Sequence, residues 1–106
     1  MSLRAKLVVH SRVITLAATP ESIAPVPGTS EKSTDIVIQA KSGNAQSCFI
    51  GGVGAELFEL PPGAVISFSD VFHTGSELEF DLDEIFCKVG VNGEGVNVLR
   101  TEIVTL

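Results

Sequence analysis

The chain of 106 residues contains no tryptophan and no tyrosine. Recognition surfaces favour those rings because each carries a polar handle. Their absence argues against an exposed platform for stacking sugars or bases. Basic residues are also scarce, seven against thirteen acidic ones, for a net charge of −6. Affinity for nucleic acid rests mainly on neutralised phosphates, so nucleic acid is not an expected partner. Two cysteines are too few for a disulfide scaffold or a zinc site. No apolar run approaches the ~20 residues of a membrane helix, and no membrane partner is expected. Arg4 and Lys6 precede Leu7-Val8-Val9, but His10-Ser11-Arg12 ends that run short of the ~7–15 apolar residues of a signal segment. A mature, unsecreted cytoplasmic product is the expectation.

What is present is alternation, glycine and turn chemistry. At this length one domain with a modest core is expected over residues 1–106. Met1 to Lys6 reads as an N-terminal arm, and Leu7 to Ala17 as a first strand apolar on both faces, buried twice or swapped onto a neighbour. Ala18 to Ser33 is a long connection in which Pro20, Pro25 and Pro27 forbid a helix and favour extended chain. Two roles stay open for it: a surface excursion between two sheets, or a loop that grips a partner.

Further strands are expected over Thr34–Lys41, Gln46–Gly51, Glu56–Leu60, Ala64–Ser69, Glu77–Asp83, Ile85–Val91 and Val96–Leu106. In the first of these Ile36, Ile38 and Ala40 point inward. Ser42-Gly43-Asn44 and Asn92-Gly93-Glu94-Gly95 read as hairpin turns, and Leu60-Pro61-Pro62-Gly63 as a proline-set turn. Gly51-Gly52-Val53-Gly54 reads as a flexible loop or bulge, since no P-loop lysine or following helix accompanies it. About eight short antiparallel strands without a helix imply an all-β sandwich, jelly roll or small barrel.

Candidate chemistry is sparse. Glu77, Glu79, Asp81 and Asp83 alternate with Leu78, Phe80 and Leu82, placing four carboxylates on one strand face. Alternate residues of a strand lie ~6.5–7 Å apart, too far for two carboxylates to share a calcium ion. That face reads as solvated, or as a contact for a basic partner. His10 and His73 lack the companions of a metal site, and no Gly-x-Ser-x-Gly elbow occurs. Cys48 and Cys87 would be close if their strands were neighbours, with buried reduced thiols as the default and a bridge as the alternative. No catalytic pair and no cofactor cradle is visible, so neither an enzyme nor a cofactor is expected.

The order of features resembles a class of small phage virion proteins. In that class a strand like Ile36-Val37-Ile38-Gln39-Ala40 is followed by an Asn turn and an aromatic-Ile-Gly strand, here Phe49-Ile50-Gly51. A Leu-x-Pro-Gly turn comes next, here Leu60-Pro61-Pro62-Gly63. The closing pattern runs here from Leu82 through Ile85, Gly90 and Val98-Leu99. The likeness covers Thr34 to Arg100, with phenylalanine where the class has tyrosine and an extra acidic segment between Val71 and Asp83. It implies a virion structural protein, foremost a capsid decoration (cement) protein that staples major capsid subunits, with a homotrimer favoured. Tail, neck or fibre components and a small ligand- or carbohydrate-binding sandwich are the alternatives. Under this reading Leu3, Leu7 and Val9 on the arm, and Ile23, Pro25, Val26 and Pro27 on the loop, are the expected partner contacts.

Overall fold

In the computed structural model, residues 3–69 and 79–105 are described. They form ten strands: β1 (Leu3–Val13), β2 (Glu21–Ser22), β3 (Lys32–Ser33), β4 (Asp35–Ala40), β5 (Cys48–Gly52), β6 (Ala55–Leu60), β7 (Val65–Ser69), β8 (Phe80–Asp81), β9 (Phe86–Lys88) and β10 (Gly95–Thr105). A 3-10 turn, Leu82–Glu84, lies between β8 and β9. All pairings are antiparallel. One four-stranded sheet runs β1-β10-β4-β7, a second runs β2-β9-β5-β6, and β3 with β8 makes a small third ladder. The protein is an all-β, sandwich-like domain.

Alternation produces the layers. Along β4 the even positions Ile36, Ile38 and Ala40 are fully buried while Val37 and Gln39 are not. Val96 and Val98 of β10, Cys48 and Ile50 of β5, Leu60 of β6 and Cys87 of β9 join them in one core. This packing supplies the apolar burial that offsets chain ordering. At Gly95 a Cβ would collide with the Arg12 carbonyl of the neighbouring strand, so only glycine lets β1 close on β10 there.

Several expected turns are real but join different partners. Ser42-Gly43-Asn44 leads from β4 in the first sheet to β5 in the second, and Asn92–Gly95 leads from β9 back to β10. Both are corners of the sandwich rather than hairpins. Buried Asn44 fixes the first corner by bonding the Gly95 backbone from both ends of its amide, Nδ2 to the carbonyl at 3.0 Å and Oδ1 from the N–H at 3.3 Å. The Gly51–Gly54 stretch is the expected bulge: the β5–β6 register shifts between Ile50 and Gly51.

The N-terminal segment differs most from expectation. From Leu3 onward the arm is strand, paired with β10 from Leu3↔Thr105 to Val13↔Gly95. β4 pairs with β10 only as far as Arg100, and Ser33 Oγ reaches the Thr101 carbonyl at 3.0 Å. Beyond that point β1 and β10 run on as a two-stranded ribbon of four residue pairs, Lys6↔Glu102 to Leu3↔Thr105, roughly 13 Å of strand. The strand does not reach Ala17, and it is not buried on both faces. Leu7, Val9, Ser11 and Val13 are exposed on one side, whereas Val8, His10 and Arg12 are half-buried on the other. The cause is that the rest of the domain packs against only one face of this antiparallel sheet, leaving the other to solvent.

Candidate interaction surface

Register places two cross-strand rows on the outer face of the first sheet. One row is Val9, Leu99, Val37 and Ser67; the next is Ser11, Asn97, Gln39 and Val65. None of these eight side chains is charged. Val9 is 67% exposed, Val65 55%, and Leu7 extends the apolar strip toward the ribbon at 68%. A shallow groove of about 330 Å³ runs over Val9, Leu99, Val37 and Val65. Its polar border is held across three strands: Ser11 Oγ donates to Asn97 Oδ1 at 2.8 Å, and Asn97 Nδ2 to Gln39 Oε1 at 3.5 Å. Scattered exposed apolar residues are ordinary; here exposed Leu7, Val9 and Val65 share one sheet face with half-buried Val37 and Leu99.

The opposite side of β1 is polar and already occupied. Arg12 donates to the Ser22 carbonyl at 3.0 Å and pairs with Glu21 at 3.1 Å, while Glu21 also accepts from Thr15 N–H at 2.9 Å. His10 Nε2 donates to the Ile23 carbonyl at 2.8 Å, which leaves buried Nδ1 without a partner. Burial first, and then the nearby Arg100 and Arg12 charges, hold the His10 pKa below its ordinary value, against the Ile23 hydrogen bond and Glu31. Arg100, itself buried, pairs with Glu31 at 3.2 Å. These bonds seal the sandwich edge and draw the proline-rich loop against the inner side of β1.

No protein-family model, curated protein or solved structure matches the chain. The site therefore rests on its own geometry.

That geometry divides the expected contact residues. Leu7 and Val9 lie on the open outer face, and Leu3 takes the first ladder position of β1. Pro25, Val26 and Pro27 are exposed on the loop, which is tied to the other side of the strand. Ile23 is fully buried in the core, so it is a packing residue and no surface contact. Its N–H bonds the Ile85 carbonyl at 2.9 Å, which carries the side chain inward beside β2.

In the described part of the acidic run only Phe80–Asp81 is strand, and Asp83 lies in the 3-10 turn. Glu77 lies outside the described residues and Glu79 is exposed. Asp81 caps the 3-10 turn by accepting from Asp83 N–H, and it also accepts from Ser30 Oγ at 2.7 Å and Glu31 N–H at 3.2 Å. Asp83 accepts from Gly28 N–H at 2.8 Å. Aspartate is a preferred cap because its short carboxylate reaches free N–H groups that alternation along a strand would leave unpaired. The two carboxylates therefore clasp the proline-rich loop. The Ser30 bond, followed by the Asp83 N–H, holds the Asp81 pKa below the usual carboxylate value.

Two further features flank the core. Cys48 and Cys87 sit on adjacent strands, diagonal across the β5–β9 register, as buried free thiols. The neighbouring Cys48 thiol, and then burial, pushes the Cys87 thiol up. Ile50, Phe58, Ile66, Phe68, Phe80 and Ile85 line an apolar cleft of about 260 Å³ between the sheets. Outer-face Val37, Leu99 and Val65 carried no signal in the sequence, because their shared face depends on which strands pair. Among the described residues no three His, Cys, Asp or Glu side chains gather as metal ligands.

Proposed function

We propose that this protein is a non-enzymatic assembly component that docks the outer face of its first sheet on a larger protein. The most specific form of the reading is a capsid decoration protein stapling neighbouring major capsid subunits. One observation supports it above the others: an uncharged apolar strip, from Leu7 through Val9, Leu99 and Val37 to Val65, lies on a hydrogen-bonded sheet that continues into a protruding ribbon. A rigid face loses little freedom on docking, so even a modest apolar area is used efficiently. Many weak contacts repeated on a particle surface multiply by avidity. The resemblance of Thr34 to Arg100 to virion proteins supplies the partner class. Co-sedimentation of the purified protein with shells assembled from the major capsid protein of the same source tests the reading. Saturable binding at a fixed ratio to capsid subunits is expected, and absence of binding to any such shell or particle would overturn it.

The cleft between the sheets favours a second reading, a small apolar-ligand module. That reading requires a monomer that takes up a fluorescent apolar probe with one-to-one stoichiometry. Narrowing the cleft with Ile66→Phe would abolish the uptake.

A further inference from the structure

Two long strand edges lie free among the described residues, and their chemistry is opposite. β1 has only β10 beside it, and β6 has only β5. The ionisable side chains of β1 are basic: Arg4 and Lys6 are exposed, while His10 and Arg12 are engaged by the Ile23 carbonyl and Glu21. On β6, Glu56 is buried and accepts from the Gly54 N–H, so exposed Glu59 is the acidic side chain this strand presents. β7, the other edge of the first sheet, carries no charge at all, and β2 is only two residues long. Each charged edge also exposes large apolar residues: Leu7 and Val9 on β1, and Leu57 at 82% with Phe58 at 58% on β6. A long apolar edge with unpaired backbone groups is a template for strand addition.

We propose that a second copy of this chain adds its β6 to the free edge of β1, head to tail. Pairing β1 with β1 would bring Arg4 and Lys6 of two copies together, and pairing β6 with β6 would bring two Glu59 side chains together. Like charges across a ladder destabilise it and opposite charges stabilise it, so only the mixed pairing is favourable. Such an interface is heterologous, leaving one free β1 and one free β6 at the ends of any pair of copies. It therefore continues to further copies until the array closes or extends. The inference stands apart from the capsid reading, because it concerns an edge rather than the outer face.

Light scattering tests it, with the protein alone in solution. The wild type should weigh an integer multiple, above one, of the 11.1 kDa chain. Glu59→Lys alone, and Arg4→Glu with Lys6→Glu, should each fall to 11.1 kDa while still unfolding in one cooperative transition. All three substitutions in one chain restore complementary edges and should restore the wild-type mass. That combined variant is decisive. Lys6 faces Glu102 within the ribbon, so any internal damage from Lys6→Glu persists in it while the edge match returns. A wild-type monomer at the highest soluble concentration overturns the inference, as does a wild-type mass in either charge-reversed variant or a monomeric combined variant. A monomer that still co-sediments with shells sinks this inference alone. An oligomer that does not co-sediment supports it and counts only against the capsid reading.

Discussion

Replacing Leu7 and Val9 together by threonine should separate docking from folding. Both side chains are about two-thirds exposed, at 68% and 67%, so the isolated fold gains little from them. Threonine keeps the β-branched preference for a strand and puts a hydroxyl where a partner would offer apolar surface. Full burial of a Leu or Val side chain is worth about 1.5–3 kcal/mol, so covering the exposed two-thirds contributes about 1–2 kcal/mol for each. Losing both should weaken shell binding roughly 30- to 1,000-fold, at ~1.4 kcal/mol per factor of ten. The folded domain should change by less than about 0.5 kcal/mol per site, as exposed substitutions usually do. The assay is quantitative co-sedimentation over a range of protein concentrations, with a thermal melt of the same preparations. Undiminished binding at an unchanged melting temperature would refute the assignment of the outer face as the docking surface.

Three other outcomes follow from the interior. Ile38→Ala, at a fully buried position of the central sheet, should cost about 2–5 kcal/mol and lower the melting temperature by roughly 10 °C or more in calorimetry. His10 has a depressed pKa, so the unfolded chain binds its proton more readily; stability should be level above about pH 6.5, fall as pH drops through the window below it, and level again under the folded value. His10→Gln, which can still donate to the Ile23 carbonyl, should flatten that part of a melting-temperature profile. Cys48 and Cys87 should resist alkylation in the native protein and both react in denaturant, read by intact mass; rapid native labelling would contradict their burial.

The parts of the fold legible in the sequence were those set by local alternation. Ile36, Ile38 and Ala40 announce their inward face because a strand's side chains repeat every two residues. Turn positions were legible too, since Gly63 and Gly93 adopt the positive φ their motifs require. Turn chemistry does not say which sheet the next strand joins, so two sandwich corners read as hairpins. The acidic run misled for a related reason. Alternation from Glu77 to Asp83 fits a strand, but Asp81 finds free N–H groups of the 3-10 turn and of the loop around Ser30, and those bonds decide its conformation. Ile23 was misplaced because a proline-rich neighbourhood says nothing about a single residue turned inward by its bond to Ile85. The outer-face strip was invisible since Val9, Leu99, Val37 and Val65 meet only through non-local register.

β10 lies between β1 and β4, and its partners on both sides precede it in the chain by long stretches. On a translating ribosome β1 therefore has no ladder partner, and β4 only β7, until Gly95–Thr105 emerges. Non-local pairing of this kind closes slowly, because the loop entropy comes due before any ladder bond rewards it. Until then the nascent chain keeps the strips destined to meet β10 uncovered, and the net charge of −6 opposes association between neighbouring nascent copies.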